Sequence, residues 1–270
     1  MKNGIPSDPL KQLVQEQFGA TAASFVLSQM HRGGNDLERL VKCAQLNGTE
    51  NVLDVATGGG HTALAFSKQA RSVVALDFTA PMLEEARRFV AAQGQYPIRF
   101  VRGDAECLPF ATNTFDIVTA RLAPHHFPTP ARFVAEVART LKVNGRFLLS
   151  DNMGPQDDEL DAFLDRVERW RDPSHIRAWR LSVWRVLCEQ SGLQVEFAGP
   201  LEKKTYPFDE WTDRMRLAAD QKIALAEWIQ TAPPHVQEFF EVCIDNGKLV
   251  SLCATFGILG ATKTAKTAAF

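Results

Sequence analysis

The stretch Asn51-Val52-Leu53-Asp54-Val55-Ala56-Thr57-Gly58-Gly59-Gly60 decides the fold. Asn51 to Val55 reads as a short apolar strand, and it runs at once into a turn carrying three consecutive glycines. Glycine lets a backbone turn tightly and approach a ligand closely, which a plain strand-to-helix connection does not need. Downstream the pattern alternates. A helix is expected from His61 to Gln69 and a strand from Ser72 to Leu76 ending at Asp77. Thr79 can cap a helix that turns Met82, Leu83, Ala86, Phe89 and Val90 to one face. Strands follow at Ile98 to Val101 and Phe115 to Ala120. Thr129-Pro130 opens a helix that turns Phe133, Val134, Val137 and Leu141 inward. Asn144-Gly145 stops it, and Arg146 to Ser150 is a fifth strand. Alternation of helices with near-continuous apolar strands predicts a parallel sheet covered on both faces, a doubly wound α/β fold.

Upstream, residues 8–30 and Asp36 to Leu46 read as helices, the second closed by Asn47-Gly48. The residues after 151 differ. Leu160, Phe163, Leu164 and Val167 make one helical face and Leu181 to Gln190 another, and Leu193 to Ala198 reads as a sixth strand. A mainly helical stretch over 208–245 precedes a β-like run from Lys248 to Ile258. This helical insert before the last strand is a candidate substrate lid or homodimer surface. The tail, Ala261 to Phe270, is expected to fray.

Composition removes several function classes. The net charge is −2, without the basic surface that binding nucleic-acid phosphates requires. The N-terminus lacks a basic region followed by an apolar one, and Leu249 to Ala261 is too short and too interrupted to span a membrane. Cys43, Cys107, Cys188, Cys243 and Cys253 are scattered and expected mostly to be small buried thiols. Together these point to the cytoplasm. There are 18 Phe but 2 Tyr, so a catalytic tyrosine is restricted to Tyr96 or Tyr206.

The glycine loop alone leaves the ligand open. Gly58, Gly60 and Ala63 fit a dinucleotide pattern, and Asp77 is placed for ribose hydroxyls, so NAD and S-adenosylmethionine (SAM) both remain. Three features separate them. Asp54, at the loop entrance, would oppose a pyrophosphate but suits the ammonium of the methionine moiety. Asp104, after the third strand, can accept from an adenine amine while Ala105 leaves room for the ring. A short-chain dehydrogenase needs Tyr-x-x-x-Lys, but Tyr96 is followed by Phe100 and Tyr206 by Glu210.

Along the chain stand Asp54-x-x-x-Gly58-x-Gly60, Asp77, Gly103-Asp104-Ala105-Glu106-x-Leu108-Pro109-Phe110, Phe115-Asp116-x-Val118 and Leu141-Lys142-x-Asn144-Gly145. With this set the chain resembles a class I SAM-dependent methyltransferase, and most of all the ubiquinone/menaquinone biosynthesis branch (methyltransferase type 11). The resemblance implies a seven-stranded, mostly parallel Rossmann-like sheet with an antiparallel last strand. It implies a single domain over 1–270: cofactor-covering helices in 1–48, a SAM-binding core in 49–151, an acceptor and lid region in 152–260, and the tail.

The resemblance also implies roles. Asp54, Ala56, Thr57, Gly58 and Gly60 would line the methionine and ribose, and Asp77 would hold the ribose hydroxyls. Phe78 and Met82 would lie against the adenine, Gly103, Asp104 and Ala105 would read its edge, and Arg121 and Leu122 would flank the sulfonium. The product would be S-adenosylhomocysteine (SAH), and the acceptor a small molecule methylated on O, N or C. Any general base is expected in Arg121-Leu122-Ala123-Pro124-His125-His126-Phe127, with one of His125 and His126 facing the cavity. Weaker candidates for acceptor contact are His31, Asp151 and Asn152. The last two resemble a magnesium pair in catechol-type enzymes, but Arg121 stands where those need an acid. No metal is therefore expected, and no zinc pattern is present. Arg166, Arg169, Arg171, Arg177 and Arg180 form either a solvated helix end or a site for an acidic acceptor. The rival functions are a SAM-binding regulatory or assembly protein and an NAD(P)-dependent oxidoreductase.

Overall fold

The computed structural model describes residues 8–27, 34–199 and 201–265, of 20–27 the backbone alone. The decisive stretch is β1 (Asn51–Val55), with four of its five residues buried. It pairs in parallel with β2 (Ser72–Asp77) on one side and β4 (Phe115–Arg121) on the other. Continuous apolar runs form these strands because helices cover both faces: α2 (Asn35–Ala44), α3 (His61–Ser67) and α4 (Ala80–Gln93), with α5 (Pro130–Thr140) behind. With β3 (Ile98–Arg102), β5 (Leu141–Asn152), β6 (Leu193–Ala198) and β9 (Lys248–Lys263), the order is β3-β2-β1-β4-β5-β9-β6. β9 is antiparallel to both neighbours. This is the expected doubly wound sheet with its last strand reversed.

Two further strands extend it to nine. β7 (Glu202–Pro207) and β8 (Cys243–Asp245) both pair with β9, outside the seven-stranded core. Between them lies the helical insert: α8 (Phe208–Arg214), α9 (Ala219–Gln230) and α10 (Pro234–Phe239). These pack with α6 (Asp158–Arg171) around a second core containing Phe163, Trp211, Leu225 and Phe240. Helix α7 (Leu181–Gln190) and the N-terminal α1 (Pro9–Leu27) complete the elements. None of the described helices is long and apolar enough to cross a membrane.

Three expectations are corrected. Asn144-Gly145 does not end a helix. α5 stops at Thr140, and Leu141 already belongs to β5, where the register against β4 shifts between Phe115 and Ile117. Lys142 Nζ pairs with Asp116 at 2.8 Å, and a Cβ on Gly145 would lie 3.0 Å from the Asp116 carbonyl. The motif therefore builds a tight bulge between two strands. The start of the tail is not frayed: Ala261 to Lys263 pair with β5 or β6 inside the sheet. The thiols are not mostly buried. Cys188 and Cys253 are, Cys43 is half-buried, Cys107 and Cys243 are exposed, and all five are free.

Candidate functional site

A cavity of about 970 Å³, its open mouth included, lies beyond the carboxyl ends of β1, β2 and β4. This is the switch point at which doubly wound sheets bind ligands. Its walls come from distant parts of the chain.

The glycines of the loop divide the work. Gly58 has φ +51°, and a Cβ there would meet nothing within 4 Å, because the position opens on the cavity. Gly60 has φ +82°, but a Cβ there would meet the Ala86 Cβ at 3.2 Å. Gly60 thus sits off the cavity wall and lets α3 approach α4. Two non-glycine residues on the wall also have left-handed backbones, Ala56 (φ 55°) and Leu122 (φ 53°). They end β1 and β4, and each such residue stores about 1–2 kcal/mol of strain. No motif in the sequence marks that strain.

Asp77 lies on the wall. Its Oδ2 accepts the Gly58 N–H at 2.9 Å, and its Oδ1 accepts the Thr79 N–H at 2.9 Å and hydroxyl at 3.1 Å. Thr79 stands at the N-cap of α4 without a side-chain capping bond, so the loop and the helix start are tied by Asp77 instead. Burial pushes the Asp77 carboxyl above its ordinary value. Asp54 is buried beneath the loop, off the wall, and accepts the Thr57 hydroxyl at 2.6 Å. Burial pushes it up to about 7.

Thr57, Phe78, Met82, Gly103 and Ala105 are all on the wall, as is Asp104. Lys11 of α1 pairs with Asp104 at 2.6 Å and with Glu106 at 2.7 Å. Val14 and Phe18 of the same helix line the cavity. This covering helix carries no motif; the resemblance alone gave 1–48 a covering role, and it named neither Lys11, Val14 nor Phe18 at the site.

Arg121 is on the wall, its Nε donating to Asp36 at 2.5 Å with both side chains buried. Of the two histidines only His126 reaches the cavity. Its Nδ1 lies 3.0 Å from the Ser174 carbonyl, which must accept, so Nδ1 carries the hydrogen and Nε2 the lone pair. Phe18 meets its ring edge-on at 4.8 Å. Burial, reinforced by the charge of neighbouring His125, pushes His126 down to about 3. His125 points away, with Nδ1 2.7 Å from Asp151. Burial alone would lower its affinity for a proton, but the Asp151 charge and hydrogen bond outweigh that and leave it raised.

Asp151 is thus engaged by His125, and Asn152 accepts the Tyr206 hydroxyl at 2.9 Å; neither is on the wall. His31 lies outside the described residues. Among the described residues, no three His, Cys, Asp or Glu side chains gather as a metal site. Nor do the clustered arginines reach the cavity. Arg171 is buried against Glu168, Arg169 pairs with Asp165, and Arg177 and Arg180 converge on Asp161.

Residues 53–149 match the model of a family described as a methyltransferase domain. The chain is 36% identical over 239 residues to the uncharacterized methyltransferase YcgJ of Bacillus subtilis (strain 168), covering 87% of this chain and 93% of that protein. A crystal structure from Bacillus halodurans C-125, assigned to the methyltransferases, superposes with a TM-score of 0.83 at 41% identity, over 86% of this chain and all 100% of that one. The ubiquinone/menaquinone biosynthesis C-methyltransferase UbiE of Marinomonas sp. (strain MWYL1) is 29% identical over 172 residues, 60% of this chain and 68% of that protein.

Proposed function

Because the chain belongs to the class I SAM-dependent methyltransferases, we propose that its cavity brings SAM together with a small, partly apolar acceptor beside His126. The observation that carries this reading is one cavity shared by the glycine loop, Asp77, Asp104 and His126. The residues suit the cofactor. Gly58 leaves room where a Cβ would project, and Asp77 and Asp104 offer carboxylates at the ends of two adjacent strands. Phe78, Met82 and Ala105 offer flat apolar walls for a base. When bound, SAM supplies a methyl group already activated on a sulfonium.

The protein's share is then mainly positioning, which can lower a barrier by about 7–11 kcal/mol. Asp77 would hold the ribose, Asp104 and Ala105 the adenine edge, and Leu122 and Arg121 the reacting end. Val14, Phe18 and Phe127 exclude water from the acceptor side. His126 Nε2 is the basic atom offered to the acceptor. Its low proton affinity suits it to accept a hydrogen bond from the acceptor's X–H group and so orient the lone pair that attacks. Asp172, whose carboxylate lies 3.9 Å from Nε2, would stabilise the imidazolium as the proton arrives.

The segments divide accordingly: 1–48 covers the cofactor, 49–151 binds it, and 152–260 shapes the acceptor side. The free cysteines support a reducing compartment, the cytoplasm, and the net charge of −2 supports a small-molecule acceptor over nucleic acid. Calorimetry of the full chain with SAH tests the reading. Saturable SAH binding is expected, and tight NADH binding without it would overturn it.

A further inference from the structure

Helix α2 carries two acids in its first turn, Asp36 and Glu38. The helix dipole favours acids there, and an exposed side chain suffices for that, as at Glu38. Asp36 is instead buried and turned toward the end of β4, where its Oδ2 accepts from the Arg121 Nε at 2.5 Å. Gly34, the N-cap of α2, makes the room. Its backbone is extended (φ −124°), so the conformation itself does not call for glycine. A Cβ at Gly34 would overlap the Asp36 carboxylate, and it would lie 3.8 Å from a terminal nitrogen of Arg121.

A buried ion pair of this kind adds little to stability, because desolvation of both charges offsets their attraction. What it secures is geometry. The guanidinium is a planar fork, so a carboxylate that fixes Nε also fixes the direction of the terminal nitrogens. Asp36 is one of the partners of Arg121, whose charge also acts on the buried carboxyl of Asp54. Val55 of β1 pairs with Ala120 of β4, so Arg121 stands beside Ala56, where β1 opens into the glycine loop. At that place Arg121 lines the cavity.

The cavity wall has an order of charge. The strands beneath it run β3-β2-β1-β4. Asp104 and Glu106 follow β3, Asp77 ends β2, and Arg121 ends β4. Among the described wall residues the other permanent cation is Lys11, which belongs to the β3 end through its pairs with Asp104 and Glu106. SAM has a matching polarity. Its adenine amine and ribose hydroxyls donate hydrogen bonds, and its methionine moiety ends in a carboxylate. With the donors laid against the acids of β3 and β2, that carboxylate reaches the β4 end. We infer that Asp36, which is not itself on the cavity wall, is a positioning residue that sets the Arg121 guanidinium to receive the carboxylate of the methionine moiety. The inference rests on the proposed function and assigns one end of the same site.

Calorimetry of the full chain with two ligands tests it: SAH, and decarboxylated SAH, which carries a hydrogen in place of the carboxylate. Absence of SAH binding by wild type would overturn the proposed function itself. Wild type should prefer SAH by about 10–100-fold, the worth of charge-assisted hydrogen bonds to one carboxylate. Arg121→Met should bind the two ligands alike. Two variants then address Asp36. Asp36→Ala removes the carboxylate. Gly34→Ala keeps it but pushes it off Arg121, and the fold is retained because only the end of a side chain has to move. Each should lower the preference for SAH about fivefold or more while binding decarboxylated SAH within about threefold of wild type. If Asp36→Ala does not fold, Gly34→Ala decides. The inference is overturned if wild type binds SAH and decarboxylated SAH equally, or if any of the three variants that folds keeps the wild-type preference. It is also overturned if the Asp36 and Gly34 variants weaken both ligands in equal measure, which is the mark of a purely structural pair.

Discussion

His125 and Asp151 are joined twice. The ring Nδ1 lies 2.7 Å from one carboxylate oxygen, and the backbone N–H donates to the other at 2.9 Å. One acid at the end of β5 therefore fixes both the shape and the charge of the loop after β4. The His125 carbonyl in turn accepts from the N–H groups of Ile176 and Arg177. That docks the segment whose Ser174 carbonyl orients His126. Removing the buried partner of a charged group typically costs about 3–5 kcal/mol, and Asp151→Ala should lose that much in chemical denaturation. Asp151→Asn, which keeps an acceptor for the backbone, should lose less. With His125 uncharged in either variant, His126 should titrate higher by NMR. Unchanged stability in Asp151→Ala would refute the dual role.

His126→Ala should lower the rate of SAH formation about 10²–10⁴-fold with any acceptor that is turned over. SAH affinity should stay within a few-fold, since the ring faces the acceptor side. His125→Ala should act mainly through stability. Equal turnover in wild type and His126→Ala would remove His126 from the chemistry.

The two left-handed glycines of the loop, Gly58 and Gly60, should separate in a single comparison. Gly58→Ala places a methyl toward the cavity and should weaken SAH binding at least tenfold by calorimetry, with a stability loss of only about 1–2 kcal/mol from backbone strain. Gly60→Ala adds the approach of Ala86 at 3.2 Å to the same strain. It should lose more stability, with the larger effect on Tm. The reverse ranking would mean that the loop is oriented otherwise.

Lys11 anchors α1 to Asp104 and Glu106 across the cavity. Lys11→Met should speed SAH release in stopped-flow measurements, and the wild-type release rate alone should rise with salt as the pairs are screened. Identical release rates in the two proteins would show that α1 does not retain the ligand.

His175 is 1% exposed, and neither ring nitrogen has a hydrogen-bond partner. Burial, followed by the charges of His125 and His126, holds its proton affinity well below the ordinary histidine value. The folded state then binds fewer protons than the unfolded chain. The contribution of His175 is fully present above the unfolded pKa of about 6.5 and is lost as pH falls below it. His126, lowered for similar reasons, adds to the same slope. Asp54 acts oppositely, because its raised carboxyl contributes stability at acid pH that is lost as pH rises through about 7. Comparing His175→Phe with wild type cancels the Asp54 contribution. The variant should gain relative stability steadily between pH 6.5 and 4.5 in thermal melts, and a pH-independent difference would refute the assignment.

Where backbone pattern alone sufficed, the sequence was legible to the residue. Asn51–Val55, Leu181–Gln190 and Leu193–Ala198 lie where their apolar patterns put them. β7, Glu-Lys-Lys-Thr-Tyr-Pro, has no such pattern and is a strand because β9 offers it a partner. At the site, most of the residues on strand-end loops were legible as cavity wall, because the turn chemistry falls at the open ends of the strands where the cavity lies. Lys11 meets Asp104 across 93 positions, Arg121 meets Asp36 across 85, and His126 meets Ser174 across 48. Such pairings are made by tertiary packing, and no local spacing encodes them.

The place of β9 in the sheet has a consequence for synthesis. The last of the described strands, β9, lies between β5 and β6, and it also carries β7 and β8. On the ribosome, β5 therefore presents an open edge to every other nascent chain until residues 248–263 have emerged. At about 5–20 residues per second, that exposure lasts through the translation of the whole helical insert. The half of the molecule that holds the glycine loop can assemble early, but it is shielded from aggregation only when the final strand slides between two strands already formed.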